Sequence, residues 1–524
     1  MSPESWKIYV DALELWQKKE YEKAENTLSM LSPYDKIYPK VILLYAYIQR
    51  DSGRCITEIE TLTDSIHIFA EKSPLLLSDL YSLLGEAYNI IGNAHEAVNN
   101  FLLSCQHDFK YNQFSKAIES YNNAIFASAG ISDFSAVEAQ DLYSGYRDLL
   151  EYNFSPMPSV KYYHKKLRIG YLSADFRHHP VGYLLYPLIR GFSQDKFQVY
   201  CYSIGSANDD INAAFKACPV EWREAAKLDY IQLAEQIRSD EIDILVDCGG
   251  HTCNNRLAVF ALRPAPVQIS AIGWVGSTGL YDTDYILTDN YCAPFETNPF
   301  YTEKFLTIFG SHFCFSYLRG KYPKITESSF KRNGYITFGC FNNFAKITDK
   351  MLELWSIILN KVPNSKLILK HKLLGYEEGQ QLAKARLLKA GISIDRVELR
   401  GFSSDYLQQY NDIDIALDTF PYTGGMTTFD SLYMGVPVIS LVGERHGERF
   451  GFSLLFNVGI DMLTAKSEDE YIAKVVALAE NEDILSKLHD NLRDMVYVSP
   501  LMDDVGYINS VEKMYEEIVC RELI

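Results

Sequence analysis

Apolar side chains recur at helical spacing through the first 150 residues. They lie three or four positions apart, as in Ala24, Leu28 and Leu31, and few runs alternate with a period of two. The segment "LLGEAYNIIGNAHEAVNNF" has the offsets of a tetratricopeptide helix pair, at Leu84, Gly85, Tyr88, Ala97 and Phe101. The pattern predicts an all-α, tetratricopeptide-like domain over residues 1–150, with an irregular helical bundle as the alternative.

The pattern changes after a basic segment with two prolines (153–166), where apolar runs begin to alternate with helical stretches. The first four runs are 167–175, 197–205, 242–250 and 267–274, and a second series covers 334–343, 365–370, 396–401, 413–420 and 436–443. Such runs are typical of buried parallel strands joined by crossover helices. We therefore predict two α/β halves of Rossmann type, over 151–325 and 326–500, and a C-terminal helix over 501–524. Ligands of such sheets bind at the carboxyl ends of the strands.

Composition narrows the possible partners. The 524 residues suggest roughly three domains, and 50 Lys and Arg against 68 Asp and Glu give a net charge of -18. This charge disfavours nucleic acid or an anionic membrane as the main partner. None of the ten cysteines are spaced as CxxC, which favours a reducing cytoplasm over a disulfide or zinc framework. The sequence also predicts neither a signal peptide nor a membrane span.

Ionisable residues follow the first predicted strand in "YLSADFRHHPVGYLL". Asp175, His178 and His179 would lie at the upper edge of the sheet. A neutral imidazole is a suitable general base near pH 7, although a histidine here could equally cap the next helix.

A glycine turn follows another strand of the first half, in "DCGGHTCNNRLAVF". His251 and Thr252 come next and offer hydrogen-bond donors. Gly276 lies in the small-residue loop "GWVGSTGL", where a ligand could approach the backbone. Either segment could be only a tight connection.

In the second half, "FGCFNNFAKITDK" places Asn343 and Lys346 before a helix that should begin near Thr348 or Asp349. A lysine there could neutralise a phosphate, although lysine is usually a solvated surface residue.

The segment "DIALDTFPYTGGMTTFDSLYMGVPVIS" is the strongest candidate for anion binding. Its glycines and the first turn of the predicted helix are Gly424, Gly425, Met426, Thr427 and Thr428. Unpaired amides and the helix dipole favour a phosphate at such a turn. Asp430, one turn in, could accept a hydrogen bond from a ribose hydroxyl or merely stabilise the dipole.

Two carboxylate pairs, "DTD" (282–284) and "DID" (412–414), resemble metal ligands. The residues around both pairs are typical of a chain that enters a β-strand, in which successive residues face opposite sides. We expect no essential metal.

Six segments together resemble the O-GlcNAc transferase and SPINDLY-type enzymes of glycosyltransferase family 41. They are "RIGYLSADFRHHP", "GGHTCNNRLAVFALRPAPVQ", "GWVGSTGLYDTDYILTD", "FGCFNNFAKIT", "LDTFPYTGGMTTFDSLYMGVPVISLVG" and "RHGERFGFSLL". The resemblance implies a GT-B fold, two facing Rossmann-like domains, preceded by tetratricopeptide repeats. It also implies inverting, metal-independent transfer of a sugar from a nucleotide diphosphate to a protein side chain, with no cofactor besides the nucleotide-sugar.

The resemblance also implies roles for single residues. His179 matches the position proposed as catalytic base or acceptor-site histidine, and Lys346 matches the lysine that stabilises the departing diphosphate. The donor-binding positions it implies are Asn343 near the pyrophosphate, Gly424, Gly425, Met426, Thr427 and Thr428 at the helix start, and Asp430 at the ribose. His251 and Thr252 match the loop on the sugar side, and Asp175, Gly276 and Arg449 are further substrate-binding positions.

Three positions depart from the family pattern. Met426 stands where many relatives have threonine, and Ala345 replaces a tyrosine of the animal enzymes. Tyr406 stands where relatives often carry a histidine against the nucleobase, and its ring can still stack.

The function implied is transfer of GlcNAc from UDP-GlcNAc to serine or threonine of acceptor proteins in the cytoplasm. The near alternatives are O-fucosylation with GDP-fucose and N-glucosylation of asparagine with UDP-glucose. An alternative of another class is a helical-repeat binding scaffold with an inactive transferase half. The helical segment could hold acceptor proteins or form a homo- or hetero-oligomer.

Overall fold

The structure is a computed structural model that describes residues 2–69, 73–293 and 298–522. Its helices are α1 (Pro3–Gln17), α2 (Tyr21–Leu28), α3 (Tyr38–Asp51), α4 (Cys55–Phe69), α5 (Pro74–Ile91), α6 (Ala94–Lys110), α7 (Phe114–Ser128), α8 (Ala136–Asn153), α9 (Pro180–Gly191), α10 (Asp210–Lys216), α11 (Tyr230–Ser239), α12 (Ser329–Asn333), α13 (Asp349–Lys361), α14 (Glu377–Lys389), α15 (Met426–Tyr433), α16 (Phe450–Val458), α17 (Glu468–Ala479), α18 (Glu482–Tyr497) and α19 (Asp504–Glu522).

Its strands are β1 (Leu167–Ser173), β2 (Phe197–Ser203), β3 (Glu221–Glu224), β4 (Ile244–Asp247), β5 (Val267–Ser270), β6 (Tyr285–Asp289), β7 (Lys304–Ile308), β8 (Thr337–Cys340), β9 (Lys366–Lys370), β10 (Val397–Arg400), β11 (Ile415–Leu417), β12 (Val438–Leu441) and β13 (Thr464–Ala465). The chain divides into two compact units. The first contains Met1–Ile131, Cys340–Leu359 and Lys366–Ser404, and the second contains Ser132–Gly339, Asn360–Ser365 and Asp405–Ile524.

The first unit begins with the helices α1–α7, so the prediction of an all-helical N-terminal region is confirmed. Consecutive helices pack around small apolar cores, one of which includes Ala97, Phe101 and Ala124. The close approach of α5 and α6 depends on Gly85, since a Cβ atom there would lie 2.8 Å from the Phe101 ring. This glycine and phenylalanine are two of the five positions that indicated the repeat.

The first unit also contains strands β9 and β10, which pair in parallel. Helix α14 contributes Glu378, whose Oε2 accepts hydrogen bonds from the amides of Ile56 (3.1 Å) and Thr57 (3.3 Å). A carboxylate at the first turn of α4 satisfies amides that have no partner within that helix and complements its dipole. The helical segments and the later part of this unit are thereby joined.

In the second unit, β1–β7 form a parallel sheet in the order β3-β2-β1-β4-β5-β6-β7. Leu167 of β1 is opposite Phe197 of β2, and Ile244 of β4 is opposite Val267 of β5. The central strands are buried along their length, as expected for strands covered on both faces by helices.

The second unit holds a further set of parallel strands, paired in the order β8-β11-β12-β13. Two parallel sheets with crossover helices are thus present, as the apolar runs predicted. Strands β3 and β7 were not predicted; they form the two edges of the first sheet, and β7 contains exposed, half-buried and buried residues. Among the described residues no helix combines the length and the apolar character that a membrane crossing requires.

Candidate active site

The loop before α15 is held by the carboxylate of Asp418, which follows β11. Its Oδ1 accepts hydrogen bonds from the amides of Thr419 (2.9 Å) and Gly424 (2.8 Å). Its Oδ2 accepts one from the hydroxyl of Ser440 in β12 (2.7 Å). Because these donors lie on separate segments, one carboxylate fixes the glycine loop to the strand ends.

A second attachment fixes the other end of this loop. Thr423 donates from its amide (3.2 Å) and its hydroxyl (2.7 Å) to the carbonyl oxygen of Gly447. Helix α15 then begins at Met426, as predicted, directly after Gly425. Its N-cap residue is Gly425, which has no side chain to cap the helix. The first turn of α15 thus combines a glycine N-cap with the positive end of the helix dipole, an arrangement that favours an anion.

Asp430 is buried one turn into α15 and faces two tyrosines. Tyr322 donates to its Oδ1 (2.5 Å) and Tyr406 donates to its Oδ2 (3.3 Å). Burial raises the pKa of Asp430 to about 7, and the two phenolic hydrogen bonds only partly offset that effect. The carboxyl group is thus a buried acceptor whose charge is sensitive to pH near neutrality.

Asp175 and His179 form a pair at the carboxyl end of β1. His179 Nδ1 lies 3.3 Å from Asp175 Oδ2 and also accepts a hydrogen bond from the amide of Val181 (3.3 Å) at the start of α9. Arg177 donates to the other oxygen of Asp175 at 2.9 and 3.1 Å. As a helix cap Nδ1 carries the lone pair, and as a donor to Asp175 it carries the proton, so the two roles offered by the sequence belong to alternative tautomers of His179.

The charge state of His179 suits a base. Burial lowers its pKa below the ordinary imidazole value, and the attraction of Asp175 only partly opposes this. The ring is consequently neutral near pH 7. In the tautomer that gives up the hydrogen bond from Val181, Nδ1 carries the proton and donates it to Asp175, and the lone pair of Nε2 is left to accept a proton.

The neighbouring His178 lies in a different environment. It is exposed, and its ring nitrogens contact the Tyr183 hydroxyl (2.9 Å) and the carboxylate of Asp210. Its amide donates to Asp209 (2.9 Å). Of the two adjacent histidines, only His179 is held beside Asp175.

His251 and Thr252 follow β4 in the glycine turn. His251 is completely buried between Tyr146 and Trp274, and its Nε2 contacts the carbonyl oxygen of Thr278 (2.9 Å). Burial lowers its pKa to about 3, so the ring is neutral. Thr252 donates its hydroxyl to Gly249 (2.7 Å). Both side chains stabilise this turn, and their roles on the sugar side stay predictions.

Gly276 and Arg449 are the remaining predicted residues of the second unit. Gly276 is half-buried, and a Cβ atom there would be in ordinary contact with Trp274, 3.6 Å away. Arg449 donates to the carbonyl oxygens of Tyr291 and Gly443, each at 2.7 Å. The guanidinium thereby connects the segment after β6 to the segment after β12, and its contact with a substrate stays a prediction.

Asn343 and Lys346 belong to the first unit. Asn343 caps a short 3-10 turn, Phe344–Lys346, by accepting from the amide of Ala345 (3.2 Å). Helix α13 begins at Asp349, as predicted. The turn lies against the helical region, since the guanidinium of Arg386 in α14 stacks on the Phe344 ring (5.2 Å) and bonds Asp349 (2.9 Å).

The two carboxylate pairs are engaged by the protein. Asp284 accepts two hydrogen bonds from Arg263 at 2.8 and 2.9 Å. Asp414 accepts from the amides of Phe330 and Thr337, each at 2.8 Å. These partners hold one carboxylate of each pair in the backbone framework, and the expectation that no essential metal is bound stays a prediction.

Two residues of the site did not emerge from sequence. Asp418 lies within a quoted motif, directly after an apolar strand, and this strand-end position was the available signal. Tyr322 is 108 residues from Asp430 in the chain, so no local pattern could connect them.

Comparison with known proteins agrees with the fold and the motifs. Residues 149–333 and 326–511 match the sequence profile of glycosyl transferase family 41. The "probable UDP-N-acetylglucosamine–peptide N-acetylglucosaminyltransferase SPINDLY" of Arabidopsis thaliana is 37% identical over 361 residues, which are 68% of this chain and 39% of that protein. Its namesake from Petunia hybrida is 36% identical over the same shares. The chain thus spans about two fifths of the length of the curated relatives it matches.

A solved structure supports the GT-B assignment. A mutant of the Thermobaculum terrenum O-GlcNAc transferase superposes with a TM-score of 0.85 and 25% identity. The match covers 100% of this chain and 98% of that one. The helical region followed by a GT-B fold is therefore shared over the whole chain.

Proposed function

Because the chain belongs to glycosyltransferase family 41, we propose that it transfers N-acetylglucosamine from UDP-GlcNAc to serine or threonine hydroxyls of acceptor proteins. The observation that carries this proposal is the start of α15, a helix turn that follows a glycine N-cap and has a buried acceptor, Asp430, one turn further on. A nucleoside diphosphate needs both: donors for its phosphates and an acceptor for its ribose.

The acceptor hydroxyl attacks the anomeric carbon from the face opposite the diphosphate, so the configuration at that carbon inverts. The hydroxyl proton passes to Nε2 of His179 while the bond between the anomeric carbon and the diphosphate oxygen breaks. Two observations support His179 in this step: its imidazole is neutral, and Asp175 lies 3.3 Å from the other ring nitrogen. Asp175 stabilises the imidazolium that forms.

The departing diphosphate takes up negative charge, and positioned donors lower the barrier to its departure. The first-turn amides of α15 fit this task because Asp418 and Thr423 hold the loop in place before substrate arrives. Lys346 is assigned to the same charge by its motif match. These donors replace a divalent cation, so the proposed transfer runs without metal.

The choice of UDP-GlcNAc as the sugar donor rests on the names of the relatives. Both plant relatives are named for transfer from UDP-N-acetylglucosamine to peptides. GDP-fucose and UDP-glucose, the donors of the alternative reactions, would use the same phosphate and ribose contacts and differ at the base or the sugar.

The proposed protein acceptor rests on the helices of the first unit, and the proposed cellular compartment rests on the cysteines. Helices α1–α7 offer a surface for an acceptor protein or for a homo- or hetero-oligomer. All ten cysteines are free thiols, and most are buried, which fits a reducing cytoplasm.

A donor screen by thermal unfolding tests the proposal. The protein is heated with UDP, GDP, UDP-GlcNAc, UDP-glucose or GDP-fucose. A ligand at about 100 times its Kd stabilises the folded state by about 2.7 kcal/mol. We expect UDP and UDP-GlcNAc to raise the Tm, and Asp430→Asn to reduce the shift. A larger shift with GDP and GDP-fucose would reassign the donor, and no shift with any nucleotide would favour a binding scaffold.

A further inference from the structure

Three metal-ligating side chains meet in the interior of the second unit, and none of them takes part in the proposed transfer. They are Cys292 after β6, His312 after β7, and His446 after β12, and each is at most 3% exposed. One ligand atom from each lies within 4.8 Å of the others.

The free atoms of the two imidazoles are the atoms that a metal would use. His312 directs Nδ1 to Asp289 (2.6 Å), and His446 directs Nε2 to the Thr288 hydroxyl (2.9 Å). Their other nitrogens, Nε2 of His312 and Nδ1 of His446, are buried without a hydrogen-bond partner in the described ranges. Leaving a buried ring nitrogen unpaired costs on the order of 1–3 kcal/mol, so two such atoms in one cluster indicate a missing partner.

The surroundings resemble the outer shell of a metal site. A metal-bound histidine usually directs its second nitrogen to a carboxylate or another fixed polar group, as both imidazoles do here. Asp289 is itself saturated: it accepts from the amides of Tyr291 and Cys292 (2.9 Å each) and from Ser453 (2.7 Å) as well as from His312. This carboxylate therefore orients a ligand and is not one.

The third ligand atom is the sulfur of Cys292. Cys292 donates a weak hydrogen bond of 3.6 Å to the carbonyl oxygen of Arg449. The thiol loses its proton when a cation binds to the sulfur. With the thiolate and Asp289 each contributing one negative charge, a divalent ion would be neutralised locally, as a buried charge requires.

We propose that Cys292, His312 and His446 bind a structural transition-metal ion, with Zn²⁺ as the expected occupant. One thiolate and two imidazoles are a ligand set that zinc favours, and three protein ligands leave a fourth position for water. Zn–N bonds of about 2.0–2.1 Å and a Zn–S bond of about 2.3 Å place tetrahedral ligand atoms about 3.3–3.6 Å apart. One ligand atom of each side chain lies within 4.8 Å of the others, so binding requires an inward movement of the side chains.

The ion would stabilise the loop before α15. His446 begins the 3-10 turn His446–Glu448, and the carbonyl oxygen of Gly447 in that turn accepts both hydrogen bonds from Thr423. Binding at His446 therefore fixes the turn that holds the glycine loop, without any contact between the ion and a substrate.

Cobalt titration of the metal-stripped full-length protein tests this proposal. We expect about one Co²⁺ per chain, with a thiolate-to-cobalt charge-transfer band that Zn²⁺ abolishes. Cys292→Ser and His446→Asn should lose the band. Cys314→Ser and His489→Gln should keep it, because they alter a buried cysteine and a buried histidine outside the cluster. Circular dichroism checks that each variant is folded.

X-ray absorption of the zinc-loaded wild-type protein gives a result that needs no variant. One sulfur and two imidazole nitrogens around zinc would support the site. The metal-site proposal would be overturned by the absence of bound metal, by zero sulfur ligands around zinc, or by an unchanged charge-transfer band in a folded Cys292→Ser protein. A water molecule between the two imidazoles would then be the remaining partner for their nitrogens. Neither measurement involves a nucleotide, so the outcome is independent of the proposed transfer.

Discussion

At the scale of single residues, the two adjacent histidines show how similar side chains acquire different chemistry. His179 is half-buried beside Asp175, whereas His178 is exposed and contacts Tyr183 and Asp210. The sequence places both histidines at the end of the first strand but does not show which of them lies beside Asp175, because that depends on the direction that the chain takes into α9.

We therefore expect His179→Ala to lower the turnover of a folded enzyme by about 100- to 10,000-fold, the usual contribution of a general base. His178→Ala is the matched control and should retain most of the activity. Initial rates of sugar transfer at saturating donor provide the comparison. Full activity in the His179 variant would move the base to another residue.

The buried carboxyl group of Asp430 is proposed to bind the ribose. Its burial also makes the stability of the folded protein depend on pH. Its folded pKa of about 7 exceeds the unfolded value of about 3.9, so the folded state holds more protons between these pH values. The contribution of this group to stability is present below about pH 4 and is lost as the pH rises through 7.

Asp430→Asn should accordingly raise the Tm relative to wild type at pH 8 more than at pH 5. It should also weaken UDP binding by roughly 10-fold or more, the value of a hydrogen bond to a charged acceptor. Thermal unfolding at both pH values and calorimetric titration with UDP measure the two effects. The exposed Asp195→Asn serves as the control, and an equal Tm difference at both pH values would contradict the assigned pKa.

At the scale of the element, continuous apolar runs predicted the strands β1, β2, β4 and β5 because these are covered on both faces. The edge strands β3 and β7 lack such runs: β3 has the sequence "EWRE", and β7 is partly exposed. An edge strand is specified by its pairing with one neighbour, and that pairing is not visible in local sequence.

The loop before α15 is held in place by one carboxylate, that of Asp418, through its hydrogen bonds to Thr419, Gly424 and Ser440. Asp418→Ala should leave the amide of Gly424 and the hydroxyl of Ser440 without their acceptor, at a cost of about 1–3 kcal/mol. We expect a lower Tm together with weaker UDP binding. Asp418→Asn keeps an acceptor oxygen for the amides and should be milder. Equal effects of the two substitutions would show that this contact does not hold the loop.

The α5–α6 helix pair depends on the absence of a side chain at Gly85. A Cβ atom would lie 2.8 Å from the Phe101 ring, so Gly85→Val should destabilise the protein by about 1–3 kcal/mol. Denaturant unfolding measures the loss. Adding Phe101→Leu should recover part of it, and strictly additive effects in the double variant would argue against direct packing.

At the scale of the whole molecule, repeat spacing, strand order and motif order together predicted the helical region and the GT-B fold. What they could not predict are contacts between distant segments. Tyr322 with Asp430, Arg386 with the turn of Lys346, and Asp289 with His312 each join residues brought together only by folding. Local sequence therefore predicts the elements and the order of the motifs better than the side chains that position them.

The most direct test of a transferase is turnover of UDP-GlcNAc by the full chain, with UDP release and mass spectrometry of an acceptor protein as readouts. We predict UDP release above blank and addition of one N-acetylhexosamine mass to serine or threonine. Lys346→Ala should lower both by about 100-fold or more, because a positioned donor to the leaving group is worth about 3 kcal/mol. Folded wild-type protein that releases no nucleotide from UDP-GlcNAc, GDP-fucose or UDP-glucose would contradict the account.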